Sequence, residues 1–202
     1  MSRTRQEKQS SEIRSRILDI ARRIVCDEGV EALSVRRITS EMDYSAGIIY
    51  HYFENKEQIL STILLDVYQR ILSSIHPPNG KIPPDELLMA SAKSFIQCVL
   101  ECPAEYKAVM LDTSPQVLAF TSVLGEGTCE KQPAMMAMVA TLEAGISDGV
   151  FAPCDVQLTA QAIWSATFGL LMRLIIERDV GIEQRTKLIE RQINLIMKGL
   201  RP

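Results

Sequence analysis

Two short helical segments joined by a tight break constrain this sequence more than any other feature. Ser34 is a favourable N-cap for a helix over residues 35–42, and Ser45 occupies the same position before a helix over 46–52. Asp43 and the residue after it interrupt the apolar pattern between the two segments. Two capped helices this short, following a longer amphipathic helix, predict a helix-turn-helix in which the first short helix supports the second.

Helical periodicity continues through the rest of the chain. Apolar residues recur every three or four positions over 11–28, where Gly29 follows as a C-terminal cap. Asn55 is predicted to cap a fourth helix, which ends before the loop His76-Pro77-Pro78-Asn79-Gly80. No run of alternating β-branched residues suggests a strand. The sequence therefore predicts an all-α fold of about nine to ten helices, the later ones near 84–102, 103–112, 115–124, 133–148, 155–178 and 182–200.

The second short helix has the side chains that a helix needs in order to enter the major groove of DNA. The groove is about 12 Å wide, so the residues that face it must be small or polar. Ser45, Ala46 and Gly47 meet that requirement. Tyr50 and His51 follow one turn later, where a hydroxyl and an imidazole can reach phosphate oxygens. Lys56 adds an ammonium group at the start of the fourth helix.

These residues resemble those of a known family. The stretch SRILDIARRIVCDEGVEALSVRRITSEMDYSAGIIYHYFENKEQIL looks like the DNA-binding domain of the tetracycline-repressor (TetR-like) family, and the resemblance covers about residues 11–60. Its most specific part is the run from Tyr50 to Glu57, in which aromatic residues, a cap and a lysine coincide in register. The family usually has glycine where this chain has Asp43, and aspartate adopts the left-handed conformation more readily than most residues.

The resemblance implies specific DNA contacts. Bases would face Ser45, Ala46, Gly47 and Ile48, and phosphates would face Tyr50, His51 and Lys56, with Arg36 reaching DNA from the first short helix. Alternatives remain open for several of these side chains: Tyr50, with Tyr52 and Phe53, also fits an ordinary aromatic core cluster, and Arg36 and Arg37 also fit plain solvated charges. His51 has only His76 as a possible histidine partner, so no metal site is predicted.

The predicted domains are a helix-turn-helix DNA-binding domain over 11–71, with its motif at 34–53, and a helical ligand-binding and dimerisation domain over 81–202. Reading two half-sites of a palindromic operator requires a pair of recognition helices. The last helix has the stripe Ile189, Ile193, Ile196 and Leu200, with Leu188 and Leu195 beside it, and the preceding helix is apolar around most of its circumference. Two such helices from each chain predict a four-helix homodimer interface; packing of both helices against the protomer's own core is the alternative. Family members that this chain resembles are homodimers through their last two helices.

If the resemblance extends to the second domain, its middle helices enclose a pocket for a small apolar or aromatic ligand. Such residues at helical spacing also form ordinary cores. The candidate lining residues are Phe95, Met110, Phe120, Met138, Trp164 and Phe168. Cys98 and Cys102, which lie four positions apart on one helix face, are either small buried hydrophobic side chains or a pair that senses oxidants or binds a thiophilic metal.

Charge and motifs limit the other function classes. The net charge is −3, yet residues 1–23 have seven basic and three acidic side chains, which suits phosphate binding at one end of the chain. No Walker loop, G-x-S-x-G or H-E-x-x-H motif is present, so we expect no enzyme, no catalytic residues and no cofactor. Five cysteines without a C-x-x-C pair and a polar N-terminus predict a cytoplasmic protein, and the apolar stretch 159–176 is interpreted as a core helix, not as a membrane span.

The sequence favours a homodimeric repressor that a small, largely apolar ligand releases from its operator. The alternative is an architectural or protein-partner-controlled DNA-binding protein that has no small-molecule ligand. A solid helical body would favour that alternative, whereas a cavity larger than a few water molecules would favour the ligand-controlled repressor.

Overall fold

The computed structural model of the chain describes residues 2–74 and 82–202, apart from the side chains of residues 2–6 and 74. These residues form ten α-helices and two short 3₁₀-helices, which confirms the predicted all-α fold. The predicted loop from His76 to Gly80 lies outside the described residues. The α-helices are α1 Ser2–Glu28, α2 Val35–Met42, α3 Ala46–Tyr52, α4 Lys56–Ser74, α5 Pro84–Glu101, α6 Pro103–Leu111, α7 Pro115–Thr121, α8 Pro133–Ser147, α9 Val156–Ile176 and α10 Ile182–Leu200; the 3₁₀-helices are Val30–Ala32 and Thr128–Glu130.

The chain divides into two compact units. The first contains the chain up to Gln69 together with Ala104–Leu118, and the second contains Arg70–Pro103 and Ala119–Pro202. Helix α6 thus packs with the helices that precede it by a long stretch of sequence. The predicted domains were continuous segments, whereas the first unit is built from two.

The first unit is organised around the apolar face of α1. Ile17, Ala21 and Ile24 of α1 are almost fully buried, and so are Ile59 and Leu64 of α4, which lie in the same unit. Helix α1 begins at Ser2 rather than near Ser11 as predicted. Residues 2–10 contain no proline or glycine, so no residue stops the helix, although they lack the apolar periodicity that marks a buried face.

The break between α2 and α3 depends on the conformation of Asp43. Its backbone is left-handed, with φ 59° and ψ 35°, and its N–H donates to the carbonyl oxygen of Thr39. Asp43 is the one non-glycine residue with positive φ among those described. The expectation that aspartate takes the position usual for glycine in this turn is confirmed. The left-handed Asp43 ends α2, so that α3 begins shortly afterwards, at Ala46.

The second unit packs α5, α8, α9 and α10 around a shared apolar core. Asp155 caps α9 as predicted, because its carboxylate accepts from the N–H groups of Gln157 and Leu158 at 3.1 and 3.0 Å. Helix α9 is long and apolar enough to cross a membrane by length and composition, and 33% of its most apolar window is buried. One face, including Ala160 and Leu171, lies in the core, as expected of a core helix, while the opposite face is exposed.

Candidate functional site

Helices α2 and α3 present one buried and one exposed face. Ile38 and Met42 of α2 and Ile49 of α3 are at most 2% exposed, and Phe53, which ends α3, is equally buried. Ser34 caps α2 by accepting from the N–H of Arg37 at 3.2 Å. The buried side chains Ile49 and Phe53 fix the orientation of α3 against the core, and the opposite side of the helix is exposed.

The first turn of α3 forms a narrow exposed surface. Ser45, Ala46 and Gly47 are exposed, and a Cβ built on Gly47 would meet only Ser45 Oγ, at 3.7 Å. Ser45 occupies the N-cap position as predicted, but its side chain makes no capping hydrogen bond. Its hydroxyl therefore remains available to an outside partner, while the missing bulk at Gly47 permits close approach of a large surface.

Tyr50, His51 and Ile48 extend this surface along α3. Tyr50 is 58% exposed, too much for a core aromatic residue, which argues against the cluster alternative. His51 is exposed and meets the edge of Tyr52, with ring centroids 5.0 Å apart. Ile48 is half-buried and Tyr52 is also half-buried. The surface of α3 thus combines the exposed hydrogen-bonding groups of Tyr50 and His51 with the half-buried apolar side chain of Ile48.

Two exposed cations flank α3. Arg36 on α2 and Lys56 at the start of α4 are exposed, and within residues 2–74 and 82–202 neither has an ion-pair partner. Arg37, in contrast, pairs with Glu28 at 2.7 Å and with Glu41 at 3.5 Å. Arg37 is therefore held in ion pairs within the protein, whereas Arg36 is available for other partners.

The N-terminus of α4 carries the predicted cap. The side-chain oxygen of Asn55 accepts from the N–H of Gln58 at 2.8 Å, while the Gln58 side chain accepts from the N–H of Glu54 at 2.7 Å. This reciprocal pair fixes the helix start and hence the position of Lys56. The lysine ammonium and the positive end of the helix dipole favour an anion at the same end of α4.

Two further residues of this surface were missed by sequence analysis. Arg14 of α1 lies with its guanidinium carbon 5.1 Å from the ring centroid of Phe53, so it adds a cation beside the end of α3. Tyr44, just before the α3 N-cap, is 41% exposed. The position of Arg14 next to Phe53 depends on how α1 packs against the end of α3, so no spacing in the sequence reveals it. Tyr44, in contrast, directly precedes the N-cap residue Ser45, so its place beside the start of α3 could have been predicted from the sequence.

The second unit contains a cavity of about 250 Å³ between α5, α8, α9 and α10. Phe95, Met138 and Trp164, three of the six predicted lining residues, line it, and the rings of Phe95 and Trp164 are 5.4 Å apart. Met110 does not line it because α6 packs with the first unit. Phe120 and Phe168 do not line it either, and both are half-buried elsewhere in the second unit.

The last two helices have an exposed apolar face. On α9 the exposed residues Leu158, Ala162, Ala166, Gly169 and Ile176 recur at helical spacing. On α10 Leu188 is 37% and Leu195 is 59% exposed.

The predicted interface stripe on α10 lies elsewhere. Ile193 and Leu200 are buried in the protomer's own core, and Ile189 and Ile196 are half-buried. The assignment of Ile193 and Leu200 to a dimer contact was therefore wrong, because α10 uses that side to complete its own unit. The neighbouring residues Leu188 and Leu195 occupy the exposed side instead.

Comparison with known proteins identifies the family. A profile described as bacterial regulatory proteins, tetR family, matches residues 17–63. The chain is 30% identical over 167 residues to the HTH-type transcriptional repressor KstR2 of Mycolicibacterium smegmatis, which covers 77% of this chain and 76% of that protein. It is 34% identical over 65 residues to the HTH-type transcriptional regulator UidR of Escherichia coli, covering 32% of this chain and 33% of that protein.

Solved structures share the fold over almost the whole chain. The TetR family transcriptional regulator PfmR from Thermus thermophilus superposes with a TM-score of 0.67 at 22% identity, covering 92% of this chain and 99% of that chain. Three observations point to the same family: the helix-turn-helix with its exposed α3 surface, the similarity to KstR2 over most of the chain, and the all-helical fold shared with solved structures. The chain belongs to the TetR family of bacterial regulatory proteins and is a DNA-binding transcriptional regulator, not an enzyme.

Proposed function

We propose that the chain is a homodimeric repressor whose two α3 helices bind a palindromic operator and whose operator complex is released by a small, largely apolar ligand. The observation that carries the DNA-binding part is the exposed first turn of α3, where Ser45, Ala46 and Gly47 present little bulk above a fully buried Ile49. In this proposal Ser45, Ala46, Gly47 and Ile48 face base edges.

The phosphate contacts come from the groups around that turn. Tyr50 and His51 donate hydrogen bonds to phosphate oxygens, and Arg36 and Lys56 supply charge from either side of α3. The absence of an ion-pair partner for Arg36 and Lys56 among the described residues supports this role. Arg14, held against Phe53, is a further phosphate contact in this proposal.

The homodimer forms through the exposed faces of α9 and α10. Small residues such as Ala166 and Gly169 let a partner helix approach closely, and Leu195 provides apolar area. Two helices from each protomer make a four-helix interface, which holds the recognition helices about 34–36 Å apart, one turn of DNA. Such a symmetric pair reads an inverted repeat.

We attribute the release of the operator by the ligand to the helices that connect the cavity of the second unit with the first unit along the chain. Helix α5 lines the cavity of the second unit, and α6, which begins after Cys102, packs in the first unit. Helix α4 also runs from the first unit into the second. A ligand that binds better to the state with displaced α4 and α6 weakens operator binding, and a coupling of about 1–3 kcal/mol is typical.

The cavity supports the ligand-controlled repressor over the alternative without a ligand. A single water needs about 10–15 Å³ of such space, so a volume of about 250 Å³ exceeds a few waters by a wide margin. The apolar lining favours an organic molecule over a cluster of water. As a transcriptional regulator the protein acts where the chromosome is, in the cytoplasm.

The DNA-binding part is tested by selection from a random double-stranded library at physiological salt. We expect enrichment of an inverted repeat with half-sites one helical turn apart, and footprinting on that sequence. No enrichment, or enrichment of a single half-site bound by a monomer, would contradict the proposal. A reporter gene behind the selected sequence then separates repression from activation.

The dimer is tested by sedimentation of Leu195→Glu. The substitution puts a charge at a position that is 59% exposed in the protomer, so we expect a folded monomer with lost operator binding. Leu124→Glu is the matched control, because Leu124 is 68% exposed and lies outside α9 and α10. A dimeric Leu195→Glu variant would move the interface elsewhere.

A further inference from the structure

The polar groups of the cavity are few, and they narrow the class of ligand that it accepts. No Asp, Glu, Lys, Arg or His is among the residues that line it. Arg185, two turns before Gln192 on α10, does not line it either. A charged group in this space would lose its water shell without gaining an opposite charge, so burial of an ion there is strongly unfavourable.

The lining hydroxyls of α8 and α9 already have acceptors. Thr141 Oγ1 donates to the carbonyl oxygen of Ala137 at 2.8 Å, and Thr167 Oγ1 donates to that of Ile163 at 2.9 Å. Both donor hydrogens are therefore used within their own helices. Neither threonine is left with a proton for a ligand.

Gln192 of α10 differs from the threonines. Its Nε2 is buried and has no hydrogen-bond partner in the part of the chain that the structure describes. The residue lines the cavity together with Ile193 and Ile196 of the same helix. A buried amide donor without a partner is costly, and a ligand oxygen that accepts from it removes that cost.

We infer that the cavity binds an uncharged, largely apolar molecule with a hydrogen-bond-accepting oxygen, such as a ketone or ester, and that Gln192 Nε2 donates to that oxygen. The inference rests on the proposed function, since it names the class of ligand that releases the operator. The apolar walls supply affinity without direction, whereas the buried, unpartnered Gln192 amide places the accepting end of the ligand against α10; the Ser91 hydroxyl of α5, which is half-buried, is a second donor in the lining. Selectivity against carboxylates follows from the uncharged lining.

Three matched probes test this inference on the full chain without DNA. They are 4-phenylbutan-2-one, butylbenzene and 4-phenylbutanoate, which share a phenyl group and differ in the polar end. Trp164 is the single tryptophan of the chain and lines the cavity, so its fluorescence reports occupancy, with calorimetry as a second readout. We expect the ketone to bind roughly 2- to 10-fold more tightly than butylbenzene, the range of one hydrogen bond, and the carboxylate to bind most weakly.

Gln192→Met removes the donor and keeps the length of the side chain. We expect the variant to bind the ketone and butylbenzene equally, while Gln184→Met, a matched change at an exposed position of α10, retains the ketone preference. Equal binding of ketone and butylbenzene by the unaltered chain, carboxylate binding as tight as ketone binding, a ketone preference that persists in Gln192→Met, or no binding of any probe would each overturn the inference.

The comparison of the three probes on the unaltered chain stands even if a variant fails to fold. Operator binding is measured separately, so the two failures are distinguishable. Gln192-dependent ketone binding without operator release would contradict the release mechanism and leave the ligand class intact. Loss of specific operator binding in the absence of any probe would contradict the proposed function alone.

Discussion

Arg22 of α1 and Glu105 of α6 form an ion pair inside the first unit, with Nε and Oε1 3.6 Å apart. The Glu105 side chain is 9% exposed and that of Arg22 is 28% exposed. Arg22 also donates to Asp66 of α4 at 2.6 Å. A single guanidinium thus connects three helices, two of which, α4 and α6, continue along the chain to the second unit.

A double-mutant cycle with Arg22→Met and Glu105→Gln measures how strongly this pair holds α6 to α1. Removal of one member of a buried pair costs about 3–5 kcal/mol, and partial exposure of Arg22 reduces the expected loss in the free energy of unfolding to about 1–3 kcal/mol. We expect a coupling energy of about 1 kcal/mol from denaturant unfolding of the two single variants and the double variant. Additive effects would show that the ion pair stabilises nothing beyond the separate side chains.

Gly47→Leu tests the close approach of α3 to DNA. A Cβ at this position meets only Ser45 Oγ at 3.7 Å, so the fold tolerates the change, and replacement of a helical glycine raises helix propensity. We expect an unchanged or slightly raised melting temperature and no specific operator binding in a gel-shift titration. Gly47→Ala is the control, which has the same backbone effect with little bulk and should keep most of the affinity. Full affinity of Gly47→Leu would exclude this turn from the groove.

Lys56→Ala tests phosphate contact at the start of α4. Loss of one phosphate contact weakens binding of all DNA sequences, and it lowers the slope of log affinity against log salt by about 1 per protomer. Titrations at four salt concentrations measure that slope. Lys93→Ala, at an exposed position of α5 outside the helix-turn-helix, should leave the slope unchanged. Equal slopes for the two variants would remove Lys56 from the interface.

Cys26 provides a pH-dependent test of the environment of Glu105. Burial, and then the neighbouring Glu105 carboxylate to which the thiol is hydrogen-bonded, raise the pKa of Cys26 from 9.0 to about 11. Because the pKa of the Cys26 thiol is higher in the folded state than in the unfolded state, the protonated thiol contributes to the free energy of unfolding below pH 9, and this contribution is lost as the pH rises toward 11. At pH 8 we expect iodoacetamide to modify the exposed Cys154 first and Cys26 much more slowly, as measured by mass spectrometry.

Glu105→Gln sharpens this test. Removal of the carboxylate charge lowers the pKa of Cys26, so its alkylation at pH 8 should accelerate while that of Cys154 stays constant. Cys26 that reacts as fast as Cys154 in the unaltered chain would contradict the half-buried position of Cys26 beside Glu105.

Local signals determined much of the fold. The N-caps at Ser34, Asn55 and Asp155 and the left-handed turn at Asp43 follow from residue chemistry over a few positions, so sequence analysis found the bounds of most helices within a few residues. The exposed, slender start of α3 was also visible, because small residues directly follow an N-cap. Both features need no knowledge of distant parts of the chain.

By itself, the sequence determined the succession of helices, the helix-turn-helix and the family to which the chain belongs, because caps, turn residues and apolar periodicity act within one or two helical turns. Only the tertiary structure decided that α6 joins the first unit through Glu105, that Met110 is therefore not among the residues that line the cavity, and that Ile193 faces its own core while Leu195 faces outward. The physical reason is that periodicity shows that a helix has an apolar face, whereas the partner of that face is chosen by packing between residues remote in sequence.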